Sequence, residues 1–238
     1  NDFELIIVND GSTDETRLIS EAMAALDSRI VLVNQDNSGI AVALNNAIQI
    51  ARAPLIARMD SDDIAMPSRL ERQVGYLAEY QETALISCSF VPFTDLSAPS
   101  QAPVHLPSDH SCIYATLAFC SPICHPGVLA RRELFTRFAY RPGITAEDHD
   151  LWCRAIHCFR FANLTEPLLL YRRHEGSVSM RKARRLKWST LRSGLFHIAR
   201  DPLTYRQACE ASLGIDRLAY QSINWKWMDR INRVLGVQ

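Results

Sequence analysis

Three short, mainly apolar runs open the chain, Leu5-Ile6-Ile7-Val8, Ile30-Val31-Leu32-Val33 and Leu55-Ile56-Ala57-Arg58-Met59, and helical patterns separate them. Between the first two runs, Ser12 and Glu15 have capping-box spacing ahead of an apolar stripe at Leu18, Ala22, Ala25 and Leu26. Between the second and third, the turn Asn37-Ser38-Gly39 leads into a helix over Ile40 to Ala51. Strands alternating with helices predict an α/β domain with a mostly parallel, Rossmann-like sheet flanked by helices. Such sheets gather ligand groups at the carboxyl ends of their strands. Here those ends carry Asp10 and the cluster Asp60-Ser61-Asp62-Asp63.

Further along, a helix is predicted from Pro67 to about Tyr80 and a strand over Leu85 to Val91, followed by a Pro- and Ser-rich loop near 92–109. Glu147 to His157 has helical spacing, Pro167 to Tyr171 reads as a short strand, and the chain from Met180 onward reads as mainly helical. The expected organisation is a catalytic unit over residues 1–179 and a helical appendage over 180–238. A length of 238 residues with 47% hydrophobic content suffices for a sizeable core.

Lys plus Arg and Asp plus Glu both number 26, which removes the global electrostatic case for a nucleic-acid partner. The seven cysteines never form Cys-x-x-Cys and read as reduced, buried thiols. Cys120, Cys124 and His125 lack the remaining spacing of a structural zinc site. No apolar run reaches the ~20 residues of a membrane helix, so a cytoplasmic location is expected. The chain enters its first strand directly from Asn1-Asp2-Phe3, which reads as the interior of a domain whose opening elements are missing.

Carboxylates crowded at a strand end repel one another, and a hard divalent cation, Mg2+ or Mn2+, offsets that charge while bridging phosphates. The competing reading of Asp60 to Asp63 is a solvated acidic turn. Asp10 stands in Asn-Asp-Gly-Ser, itself an ordinary turn sequence, but at a strand end its carboxylate is placed to accept from a base N–H, and Gly11 lets a ligand approach the backbone. Glu147-Asp148 either complements a helix N-terminus with Thr145 or supplies a general base. The run Tyr171-Arg172-Arg173-His174-Glu175-Gly176-Ser177-Val178-Ser179 joins three cationic or titratable side chains to a glycine and two serines, which suits a phosphate-binding segment. Neither Gly-x-x-x-x-Gly-Lys nor Gly-x-Gly-x-x-Gly occurs, so P-loop and dinucleotide readings lose most of their support.

Taken in order, Phe3 to Asp14, Asn37 to Asn45, Ile56 to Asp63, Glu147 to Trp152 and Arg173 to Ser177 resemble family 2 glycosyltransferases of the GT-A fold, across roughly residues 3–180. The stretch Ile56 to Asp63 looks most like bacterial enzymes of capsule, lipopolysaccharide or exopolysaccharide assembly. The resemblance implies an inverting, metal-dependent transfer from a nucleotide-sugar donor, taken as UDP-linked, to a glycan or lipid-linked acceptor. It implies Asp148 as catalytic base, with Glu147 beside it on a sugar. Asp10 and Gly11 would lie at the base, Gly39 and Asn45 in the donor pocket, and Asp60 near ribose and sugar. Asp62 and His174 would hold the metal, and Arg173 would face the diphosphate. Many relatives carry an arginine where this chain has Leu44, and Arg58 is the candidate replacement. Relatives also carry a strand and helix ahead of Phe3, so the chain is expected to be incomplete at its amino end.

Two other readings stay open. One is a non-catalytic sugar-nucleotide-binding fragment. The other is a haloacid-dehalogenase-like phosphatase, disfavoured because Asp63 stands where that motif wants Thr or Val. In the appendage, Trp188, Leu191, Leu195 and Ile198, flanked by Arg181, Arg185 and Arg192, read either as a stripe able to meet an anionic membrane surface or as a helix packed on the catalytic domain with a solvated basic flank.

Overall fold

A computed structural model of the chain describes residues 2–97, 101–174 and 183–212. The opening alternation folds as expected. Strand β1 (Leu5–Asp10) and strand β2 (Ile30–Gln35) pair in parallel, with Leu5 opposite Ile30 and Asp10 opposite Gln35. Helix α1 (Thr16–Leu26) connects them and α2 (Ile40–Ile50) packs back on β1. The capping box does not form: the Thr16 N–H donates to Asp14 Oδ1 at 3.0 Å, and no side chain caps the helix at Glu15. Among the described residues β1 pairs with β2 alone, and Leu5, Leu18, Ile19, Met23 and Leu26 are exposed.

The expected mostly parallel sheet is corrected by the remaining strands. They are β3 (Leu55–Ala57), β4 (Ile64–Ala65), β5 (Thr83–Phe93), β6 (Leu129–Arg131) and β7 (Arg160–Arg172), in the order β3-β6-β5-β7-β4. The β3–β6, β5–β6 and β4–β7 pairings are antiparallel, and only β5–β7 is parallel. The architecture is therefore α/β with a mixed sheet. Short βαβ steps force parallel neighbours, but β3 finds its partner more than seventy residues later in sequence. A connection of that length leaves strand direction unconstrained.

Strand β5 is buried along nearly its whole length and forms the spine of the molecule. Against it lie α3 (Arg69–Glu79), α5 (Arg132–Arg137) and a 3-10 turn at His125–Gly127, while α4 (His110–Thr116) packs on β7 and α6 (Glu147–Ala155) shares the buried cluster that holds Leu85. Trp152 is fully buried and meets the Phe161 ring edge-on at 6.0 Å. Core side chains of Leu or Phe size contribute ~1.5–3 kcal/mol each by burial.

Helices α7 (Ala183–Arg200) and α8 (Pro202–Ser212) follow. They pack on α6 and α4, and Ile198, Tyr205, Ala208 and Cys209 join the same buried cluster as Leu85 and Trp152. His197 is clamped between the Tyr114 carbonyl at 2.9 Å and His157 Nε2 at 3.0 Å. The expected boundary at 179/180 lies outside the described residues, as do Glu175, Ser177 and Arg181. Among the described residues no helix is long and apolar enough to cross a membrane, and no disulfide joins the cysteines.

Candidate active site

Strand β3 stops at Ala57, and the chain then turns through Asp60 to Asp63 before β4. The turn is anchored from beneath by α3. The buried Arg69 guanidinium donates to the Pro126 carbonyl at 2.6 Å and to the Arg58 carbonyl at 3.4 Å, while Gln73 donates to the Gly127 carbonyl at 2.7 Å. The carboxylates of Asp60, Asp62 and Asp63 each offer an oxygen within 4.8 Å of the others. Asp62 and Asp60 are partly open to solvent, whereas Asp63 is buried.

The three differ in their partners. Arg58 clamps Asp60 through two bonds of 2.6 and 2.9 Å. That guanidinium, the candidate phosphate contact, is thus engaged with a carboxylate in this structure. Asp62 faces His174 Nε2 at 3.2 Å. Asp63 Oδ1 accepts from the Arg172 N–H at 2.7 Å, and its Oδ2 is buried without a partner. Burial, together with the charges of Asp60 and Asp62 and against the Arg172 bond, raises the Asp63 carboxyl to about 6. Carboxylates crowded in this turn, with the buried Asp63 Oδ2 left unpartnered, present a negative charge that a hard divalent cation of the Mg2+ or Mn2+ kind would offset.

Helix α6 brings the second acidic pair to the same place. No side chain caps this helix, so the capping role for Glu147-Asp148 with Thr145 is not realised. Glu147 is buried, and burial first, then the Asp148 and Asp60 charges, raise it to about 7 despite Arg58 nearby. Asp148 remains half-exposed. Asp150 is tied to Arg154 at 2.8 Å and does not compete for the role of base.

Between the acidic groups stands Tyr140, which sequence reasoning missed. Its hydroxyl meets His125 Nε2 at 2.8 Å, and its ring lies in the electrostatic reach of Arg58, Asp60, Glu147 and Asp148. Desolvation holds the buried His125 ring well below the usual histidine range, so it is neutral. Asn45 grips the Tyr140 backbone from both sides: its Nδ2 donates to the carbonyl at 2.8 Å and its Oδ1 accepts from the N–H at 3.0 Å. The predicted donor-pocket asparagine thus orients Tyr140. Nothing in the spacing of Asn45 and Tyr140, 95 residues apart, announces this.

Asp10 lies at the end of β1. Its Oδ1 accepts from Gln35 Nε2 and the Ser38 N–H, both at 2.8 Å, and its Oδ2 accepts from the Gly39 N–H at 2.9 Å. Burial pushes this carboxyl up, but the three donors outweigh it and leave it below its ordinary range. A carboxylate offers about four lone-pair sites, so roughly one remains for a ligand N–H. Gly11 has φ +71°, and a Cβ there would come within 2.7 Å of the Asn37 nitrogen. Gly39, at φ +85°, opens α2.

At the end of β7, Arg172, read in the sequence only as part of a phosphate-binding run, turns to the backbone of the aspartate cluster. Its Nε donates to the Asp62 carbonyl at 2.9 Å, and its guanidinium stacks over the Phe93 ring at 4.6 Å. Arg173 is exposed, with its backbone N–H held by the Phe93 carbonyl at 2.7 Å. The two-residue period of a strand was the available signal: it sets Arg172 and His174 on one side and Arg173 on the other.

The family described as Glycosyl transferase family 2 matches residues 1–135. The chain belongs to this family. Among curated proteins the chain is similar to the O-antigen biosynthesis glycosyltransferase WbnJ of Escherichia coli, 31% identical over 75% of this chain and 71% of that protein. The amylovoran biosynthesis glycosyltransferase AmsE of Erwinia amylovora is 26% identical over 80% of this chain and 70% of that protein. In fold, the chain resembles S. aureus TarS 1-349 in complex with UDP-GlcNAc, with a TM-score of 0.65 and 18% identity over 91% of this chain and 65% of that one. It also resembles the mannosyltransferase PcManGT from Pyrobaculum calidifontis in complex with GDP-Man and Mn2+, with a TM-score of 0.54 and 18% identity over 98% and 76% of the two chains. The family match takes in Asp10, Gly39, Asn45, Arg58 and the aspartate cluster. Glu147, Asp148 and His174 lie beyond it.

The raised Glu147 has a consequence for stability. Its folded-state value of about 7 exceeds the ordinary 4.5, so the folded state holds the proton more tightly. The contribution is therefore fully present below pH 4.5 and is lost as pH rises to 7. Relative to Glu147→Gln, the metal-free wild type should lose on the order of 3 kcal/mol across that window. Urea titrations of both proteins at several pH values measure the difference, and a pH-independent gap would refute the assignment.

Proposed function

We propose that this chain transfers a sugar, with inversion, from a nucleotide-sugar donor to a hydroxyl of a glycan or lipid-linked acceptor in bacterial surface-polysaccharide synthesis. The observation that carries the reading is the convergence of two acidic groups on Arg58 and Tyr140: the aspartate cluster of the β3–β4 turn and the Glu147-Asp148 pair of α6. The names of WbnJ and AmsE support the polysaccharide setting, and the UDP-GlcNAc bound to TarS supports a UDP-linked donor.

Asp62 and His174 are the residues proposed to hold the cation, with Asp60 and Asp63 adjoining. When bound, a divalent cation there supplies positive charge to the departing nucleoside diphosphate. Asp10 accepts from the base, and Gly11 and Gly39 keep the adjoining backbone close to the nucleotide. Arg173, exposed beside His174, contacts the diphosphate. Asp148 is half-open to solvent and free of capping duty, so it can reach an acceptor hydroxyl and take its proton. Glu147, buried and readily protonated near neutrality, donates a hydrogen bond to a sugar oxygen.

The test is thermal stabilisation by nucleotide sugars with and without Mn2+, since a ligand that binds only the folded state adds about 2.7 kcal/mol at a hundred times its Kd. Stabilisation by a nucleotide sugar that requires the cation supports the reading. Absence of any stabilisation across UDP-, GDP-, CMP- and dTDP-sugars overturns it. Metal-dependent binding without transfer would favour the non-catalytic alternative.

The setting we propose is the inner face of the plasma membrane, with contact through α7. Trp188, Leu191 and Leu195 are exposed on that helix beside Arg185, Lys187 and Arg192, and Ala183–Arg200 contains no acidic residue. Ile198 is not part of this face, because it turns into the core. Sedimentation should show binding to vesicles containing anionic lipid, lost in Trp188→Glu/Leu195→Glu. Binding that ignores lipid charge or survives the double substitution rules the contact out.

A further inference from the structure

We infer that Asp63 is a positioning residue: it latches the end of β7 to the carboxylate turn and so holds His174 against Asp62. The inference rests on the donor and metal reading above and assigns a role to a residue that reading leaves without one.

The antiparallel β4–β7 ladder is two residues long, pairing Ile64 with Leu170 and Ala65 with Leu169, and it ends before the site is reached. Beyond it, the edge of β7 that faces the aspartates needs another acceptor for its next inward N–H. Asp63 provides one, since its side chain, only 6% exposed, takes the Arg172 N–H at 2.7 Å. With that amide fixed, the Arg172 side chain reaches the Asp62 carbonyl at 2.9 Å. Two residues on, His174 Nε2 arrives 3.2 Å from Asp62 Oδ2. The opposite edge of the same segment is held by β5, where Arg173 N–H donates to the Phe93 carbonyl at 2.7 Å.

The exposed His174–Asp62 pair cannot order the segment alone, because solvent-exposed ion pairs contribute ~0–1 kcal/mol. A buried carboxylate on a backbone amide is a stronger, charge-assisted bond. The sequence order Asp62-Asp63 then acquires a division of labour: one side chain points out to the ligand side and the next points in to β7. Groups of this kind, one step behind the ligands, typically change metal affinity by ~10–100-fold when removed.

Three variants test the latch: Asp63→Ala, Asp63→Asn and His174→Ala, the last also combined with each of the others. Amide exchange at Arg172 should accelerate at least ~10-fold in Asp63→Ala, and Asn, which keeps an oxygen acceptor, should restore it to within ~3-fold. Calorimetry with Mn2+ and whichever of UDP or GDP the wild type binds more tightly should show ~10-fold weaker metal-dependent affinity in Asp63→Ala, rescued in Asp63→Asn. Adding His174→Ala to Asp63→Ala should cost little more, because the latch acts through that histidine. Equal losses in Asp63→Ala and Asp63→Asn, additive with His174→Ala, would make Asp63 a direct ligand and overturn the inference. A fall in melting temperature with unchanged affinity and Arg172 exchange would also overturn it. If Asp63→Ala does not fold, Asp63→Ser, too short to reach the amide, takes its place. A wild type that binds neither nucleotide with Mn2+ sinks the donor reading, and exchange at Arg172 then decides the latch by itself.

Discussion

Asp148→Asn should lower the single-turnover rate of sugar transfer by ~10²–10⁴-fold while leaving donor affinity and melting temperature close to wild type. The expectation follows from what Asp148 does not do. It caps no helix, and its neighbour Asp150 carries the ion pair to Arg154 that secures α6. Removing a cap would have cost ~1 kcal/mol of stability with little effect on turnover, so the two kinds of loss separate on one preparation. Asn preserves shape and one acceptor oxygen but does not take up a proton near neutrality. Transfer at near wild-type rate would remove Asp148 from the chemistry and leave Glu147 as the candidate, since Asp150 is already engaged.

The second large effect is expected at Asp62. Asp62→Ala should abolish the cation-dependent part of nucleotide-sugar binding while costing no more than ~1 kcal/mol of folding stability, because its side-chain pairing with His174 is a surface one. Relief of repulsion within the three-carboxylate turn offsets part even of that. Calorimetry with and without Mn2+ reads the effect directly. Unchanged cation-dependent affinity would place the metal elsewhere in the cluster, with the buried Asp63 Oδ2 the next donor to examine.

Much of this site could be read from residue order because its chemistry is carried by short segments at strand ends. The apolar runs at Leu5 and Leu55 located Asp10 and Asp60 to Asp63, and periodicity located α2, α3 and α6. What could not be read depends on partners distant in sequence. Strand direction in the main sheet is set by β3 meeting β6 and β5 meeting β7, long-range pairings that leave no local trace. Asn45 carries the side chain of a polar pocket residue, yet it is spent on the backbone of Tyr140. Tyr140 sits in a stretch without regular pattern, and no motif marks it. Ile198 keeps helical register with Trp188, Leu191 and Leu195, but it forms the edge of that stripe next to the buried Gly194 and His197, and the core takes that edge.

The part of the chain that carries Asp10 buries less of its apolar surface than the part that carries the aspartate cluster. Helix α1 buries only Ser20, and four of its apolar residues face solvent, whereas β5 is interior along almost its whole course. Opening free energies should therefore form a gradient, with amides of β1 and α1 exchanging through local fluctuations and those of β5 only when the whole chain unfolds. A nucleotide that engages Asp10 and the aspartates together would tie these two parts of the chain to each other. Its binding would then carry an ordering cost, visible as added protection in β1 and α1 and as a less favourable binding entropy than a rigid pocket gives.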